Sequence, residues 1–294
     1  MSRAWRRLAL VAAGALAARS ALVGVRAAPN SVLLERTNFR GRPVSLAGGP
    51  ALAVGASTTA ALGARSAPLA GAALVAGLGS GAVGFYDDLV GGRPEHQAKG
   101  FRGHLRALRE GRVTSGFAKI VGVGAAGLAA SALLPPVPPR RQRTGSSRRT
   151  GPFRRSRAGT VAYTLLGAGV IAGTANLVNL LDLRPGRAVK AGLLLGVPLA
   201  VGRDGGIAAG PVGACTALLP ADLDEEIMLG DAGANALGAL LGVALAARTG
   251  TAGRAVLLAA LAGLTAASER VSFTRVIEST PGLRELDALG RRRA

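Results

Sequence analysis

Apolar runs long enough to cross a bilayer recur along almost the whole of this 294-residue chain. A helical crossing needs about 20 predominantly apolar residues, with about 17–25 as the usual range. Runs over 44–63, 67–86, 115–137, 158–181, 188–202, 206–220, 229–247 and 252–267 meet or approach that length. The two shortest, 188–202 and 206–220, flank Arg203-Asp204-Gly205-Gly206, which reads as a tight turn between two helices. Soluble helices place polar residues every three or four positions, and these runs do not. Abundant Gly and Ala within them suit close helix–helix contact in lipid. The fold class expected is all-α: a polytopic transmembrane helix bundle of about nine spans. The first span would be the N-terminal run Leu8 to Ala18, which follows Arg3, Arg6 and Arg7 and is interrupted by Arg19. The same stretch also fits a cleaved signal peptide; the span is preferred.

Composition removes several function classes. The single cysteine, Cys215, excludes an internal disulfide framework and any Cys-based zinc or iron–sulfur site; in its apolar run it reads as a small buried residue. Aromatic residues at 3% are too few for stacking platforms along single-stranded nucleic acid. The formal charge of +20 is carried almost wholly by Arg, since Lys occurs only at 99, 119 and 190. With so much Ala and Gly, that skew is read as compositional, and no nucleic-acid partner is expected.

Charge placement gives an orientation. Loops 26–43 and 87–113 and the tail Arg291-Arg292-Arg293 are rich in basic residues, and the positive-inside tendency puts them in the cytoplasm. Nine spans then leave the N-terminus outside, in a multi-pass protein of the plasma membrane. Residues 135–157 oppose this, with eight Arg between Arg140 and Arg157 on the outer side. Their Pro, Ser and Gly content reads as a linker. The chain divides into a membrane domain over 1–268, containing this linker, and a C-terminal tail over 269–294.

The few acids mark the candidate site. Asp87 and Asp88 end one apolar run, Asp182 ends another that also carries Asn176 and Asn179, and Asp231 begins a third. Each can be read as an interfacial helix cap. Taken together they fall at the cytoplasmic ends of spans, where ionisable residues are functional candidates. Asn176, Asn179 and Asp182 share one side of a helix end. Adjacent carboxylates need a cation or a shared proton. Oxygen ligands of this kind suit Mg²⁺, which also takes phosphate oxygens. Carboxylates, a divalent ion and basic loops at a membrane face point to phosphoryl transfer involving a lipid. Intramembrane charge also occurs in transporters, but inverted repeats are not apparent here.

Four segments resemble the polyprenyl-phosphate N-acetylhexosamine-1-phosphate transferases, which include phospho-N-acetylmuramoyl-pentapeptide transferase and the GlcNAc-1-phosphate transferases. They are Gly84-Phe85-Tyr86-Asp87-Asp88, Lys99-Gly100-Phe101-Arg102-Gly103-His104-Leu105, Asn176-Leu177-Val178-Asn179-Leu180-Leu181-Asp182 and Met228-Leu229-Gly230-Asp231-Ala232-Gly233-Ala234. The resemblance runs from about residue 36 to 247. It implies a bundle with its active site on the cytoplasmic face, which moves a sugar 1-phosphate from a UDP-sugar to a polyprenyl phosphate, releases UMP, uses Mg²⁺ and serves cell-wall or surface-polysaccharide synthesis. By the same resemblance Asp231 binds Mg²⁺, Asp87 or Asp88 assists the lipid phosphate, Asn176, Asn179 and Asp182 help form the nucleotide-sugar site, and Lys99 contacts a phosphate. A homodimer is also possible by resemblance.

Two departures stand out. After Asp182 the chain reads Leu183-Arg184-Pro185-Gly186-Arg187, without the family's second aspartate. The expected His-rich motif is replaced by Ser268-Glu269-Arg270-Val271-Ser272-Phe273-Thr274-Arg275. Arg184, Arg187, Ser272, Thr274 and Arg275 are candidate phosphate contacts instead. His96 and His104 both lie in the loop after Asp88 and read as solvated. The alternative is a catalytically inactive relative that binds prenyl phosphate or nucleotide sugar and regulates wall assembly.

Overall fold

A computed structural model describes residues 2–91, 93, 100–137, 156–202 and 204–292. Lys99 and His96, and most of the Arg-rich linker, lie outside the described residues. The described chain forms twelve α-helices in this order: α1 Arg3–Ala27, α2 Gly48–Gly63, α3 Ala67–Val90, α4 Gly100–Arg109, α5 Ser115–Leu133, α6 Arg157–Leu181, α7 Arg187–Val201, α8 Gly206–Leu223, α9 Gly230–Ala246, α10 Thr251–Ser268, α11 Phe273–Ser279 and α12 Leu283–Ala288. Each expected apolar run is one of these helices. By length and composition α1, α3, α5, α6, α8 and α10 can cross a membrane, and α9 is a shorter apolar helix. This is an all-helical membrane protein.

Helices α1, α5 and α6 start where a side chain accepts from a first-turn N–H. Ser2 accepts from the Trp5 N–H, Thr114 from Phe117 at 3.2 Å and Ser156 from Gly159 at 3.1 Å. Short connections then force successive helices to run antiparallel. One end of the bundle gathers the starts of α2, α5, α7 and α9 and the ends of α3, α6, α8 and α10. The other end gathers the turns at 64–66, 202–205 and 247–250.

Helix α9 is the axis. All of its residues except Asp231 and Leu245 are buried, and α3, α6, α2 and α7 surround it. Helix α1 packs on α8 and α2, whereas α10 is an outer helix resting on α6. In lipid no hydrophobic force draws one helix to another, so close approach of backbones must supply the attraction. Glycines provide it. A Cβ at Gly238 of α9 would lie 2.5 Å from the Ala175 Cα and from the Thr174 carbonyl oxygen of α6. Gly84 of α3 rests in the same way on the Asp231 backbone, and Gly63 of α2 on Gly206 of α8.

One local expectation needs correction. The run at 44–63 is not helical throughout. Glu35–Thr37 (β1) and Pro43–Ser45 (β2) form an antiparallel hairpin, and the helix begins only at Gly48. The turn is made by the Asn38 side chain, which accepts from the N–H groups of Arg40 and Arg42 at 2.8 and 3.0 Å, and by Gly41 at φ 75°. Ser45 then exchanges backbone hydrogen bonds with Glu226 and Met228, which fixes the hairpin to the α8–α9 connection. Tyr163 is buried beneath Arg254, whose guanidinium lies 3.4 Å from its ring centre. Arg254 is itself fully buried and donates to the carbonyls of Tyr163 and Ala246.

Replacing Gly238 by Ala should lower stability by about 1–3 kcal/mol, the usual cost of overpacking. Gly263→Ala, where a Cβ meets nothing within 4 Å, should cause no loss. Thermal denaturation of the two variants in detergent checks this.

Candidate functional site

The last turn of α3 carries Asp87 and Asp88, the first turn of α9 carries Asp231, and α5 begins four residues before Lys119. The glycine contact of Gly84 brings α3 against the start of α9, so these groups meet at one end of the bundle. Asp88 faces α9. Its two carboxylate oxygens accept from the N–H groups of Asp231 and Ala232, each at 2.9 Å. It therefore caps the N-terminus of α9 from a neighbouring helix, a carboxylate at the positive end of a helix dipole. Gly230, at φ 57°, makes this possible: a Cβ there would sit 2.9 Å from both Asp88 oxygens. Arg36 of the hairpin donates to the Asp88 carbonyl at 2.6 Å.

Asp87 and Asp231 face each other across Lys119. One oxygen of each lies 2.6 Å from the Lys119 ammonium. Sequence reasoning did not single out Lys119. The signal was present, because an ionisable residue inside an apolar run qualifies by the same rule that flagged the acids.

Asp182 caps the C-terminal end of α6, its N–H donating to the Asn179 carbonyl at 3.1 Å. Its Oδ2 is buried with no hydrogen-bond partner. Burial pushes this carboxyl well above the usual carboxylate range, and the nearby charges of Asp222, Asp231 and Asp88 push it further. Asp182 and Asp222 line a cavity of about 200 Å³ together with Phe39 and Arg184. Asp222, also not anticipated from sequence, accepts from the Gly186 N–H at 3.0 Å and so holds the turn that follows Asp182.

The remaining expected residues are placed differently. Asn176 donates to the Thr265 hydroxyl at 3.0 Å, which ties α6 to α10 rather than reaching the acids. Asn179 stands on the last turn of α6, between Asn176 and Asp182. Arg184 lies over the Phe39 ring, 4.4 Å from its centre. Arg187 is not an open phosphate contact. It is buried and holds Asp287 of α12 through two bonds of 2.8 and 2.9 Å, and it donates to the Thr274 hydroxyl at 2.8 Å. Burial alone would raise the Asp287 carboxyl, but Arg187 and Arg291 outweigh it and hold the group below its usual range. Ser272 caps α11. The sequence replacing the expected His motif is therefore used, in part, to dock the tail. Lys190 completes the docking by donating to the carbonyls of Leu286, Asp287 and Leu289 at 2.6–3.0 Å.

The donor set can be tested against Mg²⁺. Two carboxylate oxygens, from Asp87 and Asp231, converge on one point, which suits a hard cation that completes its shell with water and substrate phosphate. Among the described residues, no group of three or more His, Cys, Asp or Glu side chains is placed to hold a metal. The residues fit an ion shared with a substrate rather than one caged by protein, and the Lys119 ammonium competes for the same point. No protein-family model matches this chain, and a search of curated proteins finds no match.

The raised Asp182 carboxyl has a stability consequence. A raised folded-state value favours the protonated form, so its contribution is greatest below the ordinary carboxylate range and declines as pH rises through that range toward the folded value. Asp182→Asn stays neutral at every pH. It should melt higher than the natural protein at pH 7, with the two converging near pH 4. Equal melting temperatures at pH 7 would contradict this reading of the buried oxygen.

Proposed function

We propose that this protein transfers a sugar 1-phosphate from a UDP-sugar to a polyprenyl phosphate in the plasma membrane, releasing UMP. The reading is carried by the meeting of Asp87 and Asp231, from helices far apart in sequence, on one ammonium at a bundle end. It is supported by the order of the four resembling segments. In this reading the bundle crosses the membrane nine times and the acidic end faces the cytoplasm, where nucleotide sugars are found.

In the overall reaction an oxygen of the lipid phosphate forms a bond to the β-phosphorus of the donor. The bond from that phosphorus to the bridging oxygen breaks, and UMP leaves. Asp231 and Asp87 would hold Mg²⁺, which would supply charge neutralisation to the diphosphate. Lys119 balances the carboxylates between turnovers and meets phosphate charge when substrate enters. With Asp88 committed to the α9 cap, Asp87 is the carboxylate of the pair left to orient the lipid phosphate. The donor enters at the cavity that Asp182 lines with Asp222, Phe39 and Arg184. Arg184, from the segment that lacks the family's second aspartate, lies over the Phe39 ring at this cavity and would contact a donor phosphate.

A second reading follows from Lys119 itself. An ammonium fixed between both carboxylates suits a protein that binds prenyl phosphate or nucleotide sugar without turnover.

UMP release by the purified chain, with undecaprenyl phosphate, Mg²⁺ and a panel of UDP-sugars, separates the two. Release with one donor, falling by at least about a hundredfold in Asp231→Asn, is expected for the transferase; removing one preorganised electrostatic group commonly costs that much. Full activity of the variant would remove Asp231 from the site. Saturable binding of prenyl phosphate by folded protein, with no release from any donor, would establish the binder.

A further inference from the structure

The bundle end opposite the acids contains a cavity of about 780 Å³. That size suits a small-molecule or headgroup site. Arg3, Arg6, Arg7 and Arg65 line it, and Asp204 is the one carboxylate among its described lining residues. The starts of α1 and α8 and the ends of α2 and α7 all meet here, so the helix dipoles oppose one another. Side-chain charge therefore sets the sign of the field.

Part of that charge has a structural use. Arg65 Nε lies 3.0 Å from an Asp204 oxygen. Arg7 donates to the Val201 and Gly202 carbonyls at 2.6 and 2.9 Å, covering the end of α7. Carbonyl partners orient Arg7 without neutralising it. Arg3 and Arg6 are exposed on the cavity wall, and Arg3, Arg6 and Arg7 share one side of α1 through their i, i+3 and i+4 spacing. Leu10, one turn deeper on the same helix, and Val201 add apolar lining. A cavity at a bundle end, with arginines at its mouth and apolar side chains within, matches an anionic headgroup with an apolar stem.

We propose that this cavity is a second ligand site, which binds a phosphate monoester or diphosphate anion on the face opposite the acidic cluster. Guanidinium groups pair bidentately with phosphate oxygens, and Arg7, already oriented by its carbonyl bonds, presents its charge beside Arg3 and Arg6. The anion comes either from a membrane lipid or from solution. The proposal depends on the cavity and its charges alone and stands whether or not the acidic end is a transferase site.

Equilibrium dialysis of the full chain in neutral detergent tests it, with labelled dihexanoyl phosphatidic acid, dihexanoyl phosphatidylcholine and inorganic pyrophosphate as probes. Saturable binding of phosphatidic acid over phosphatidylcholine is expected, weakened by about tenfold in Arg3→Gln/Arg6→Gln, whose exposed side chains leave the fold intact. Arg157→Gln, an exposed residue on the same face and outside the cavity, should bind as the natural protein does. Pyrophosphate bound as tightly as phosphatidic acid, with the same loss in the double variant, supports the site and names a soluble anion as its source. Equal binding of both lipids without pyrophosphate binding, or equal loss in Arg157→Gln, overturns it.

Discussion

A helix that begins inside a bundle exposes N–H groups that no preceding turn can satisfy, and in a membrane an unsatisfied group is costly. Helix α9 is such a helix. It is almost wholly buried, it is the axis on which α3 and α6 pack, and its first N–H groups are taken by the Asp88 carboxylate. That one capping interaction fixes the end of α3 to the start of α9. With α3 fixed, Asp87 points at Lys119 and meets Asp231. The Gly230 backbone is left-handed and leaves room for Asp88. Cap and candidate site are thus one piece of architecture.

The two bundle ends hold different side-chain clusters. At one, carboxylates gather around a single ammonium and a small cavity. At the other, arginines gather around a larger cavity. Interior charges follow a common rule, in which each is offset by a partner or by backbone carbonyls. Lys119 offsets Asp87 and Asp231, Asp287 offsets Arg187, and carbonyls surround Arg254. The Asp182 oxygen is the departure from that rule at the acidic end. A buried polar atom left without a partner lowers stability, and such groups concentrate where a ligand completes them.

Much of the architecture was legible because helix length and apolar composition are local properties. Every expected run contains a helix, although 44–63 begins as a strand, and the acids do lie at helix ends on one side. What was not legible depended on contacts between distant segments. The hairpin at 35–45 is held by Asn38 and by the α8–α9 connection, and neither leaves a strand-like pattern in so short a stretch. Arg187 reads as a free cation until Asp287 is seen against it, a hundred residues later in the chain. Asn176 lies in helical spacing with Asp182 but is turned to Thr265. Asp222 looks like an ordinary helix-end acid, and only the fold brings it to the Asp182 turn. Lys99 falls outside the described residues, whereas Lys119, unremarked in the sequence, stands at the centre.

The candidate site depends on Asp231 and Lys119 forming one electrostatic unit. A double-mutant cycle on thermal stability, using Asp231→Asn, Lys119→Gln and the pair, measures that directly. Residues in contact commonly couple by about 0.5–3 kcal/mol, and coupling in that range is expected, the pair being destabilised less than the sum of the single changes. Additive effects would show that the two side chains do not meet, and the acidic end would then no longer hold together as a site.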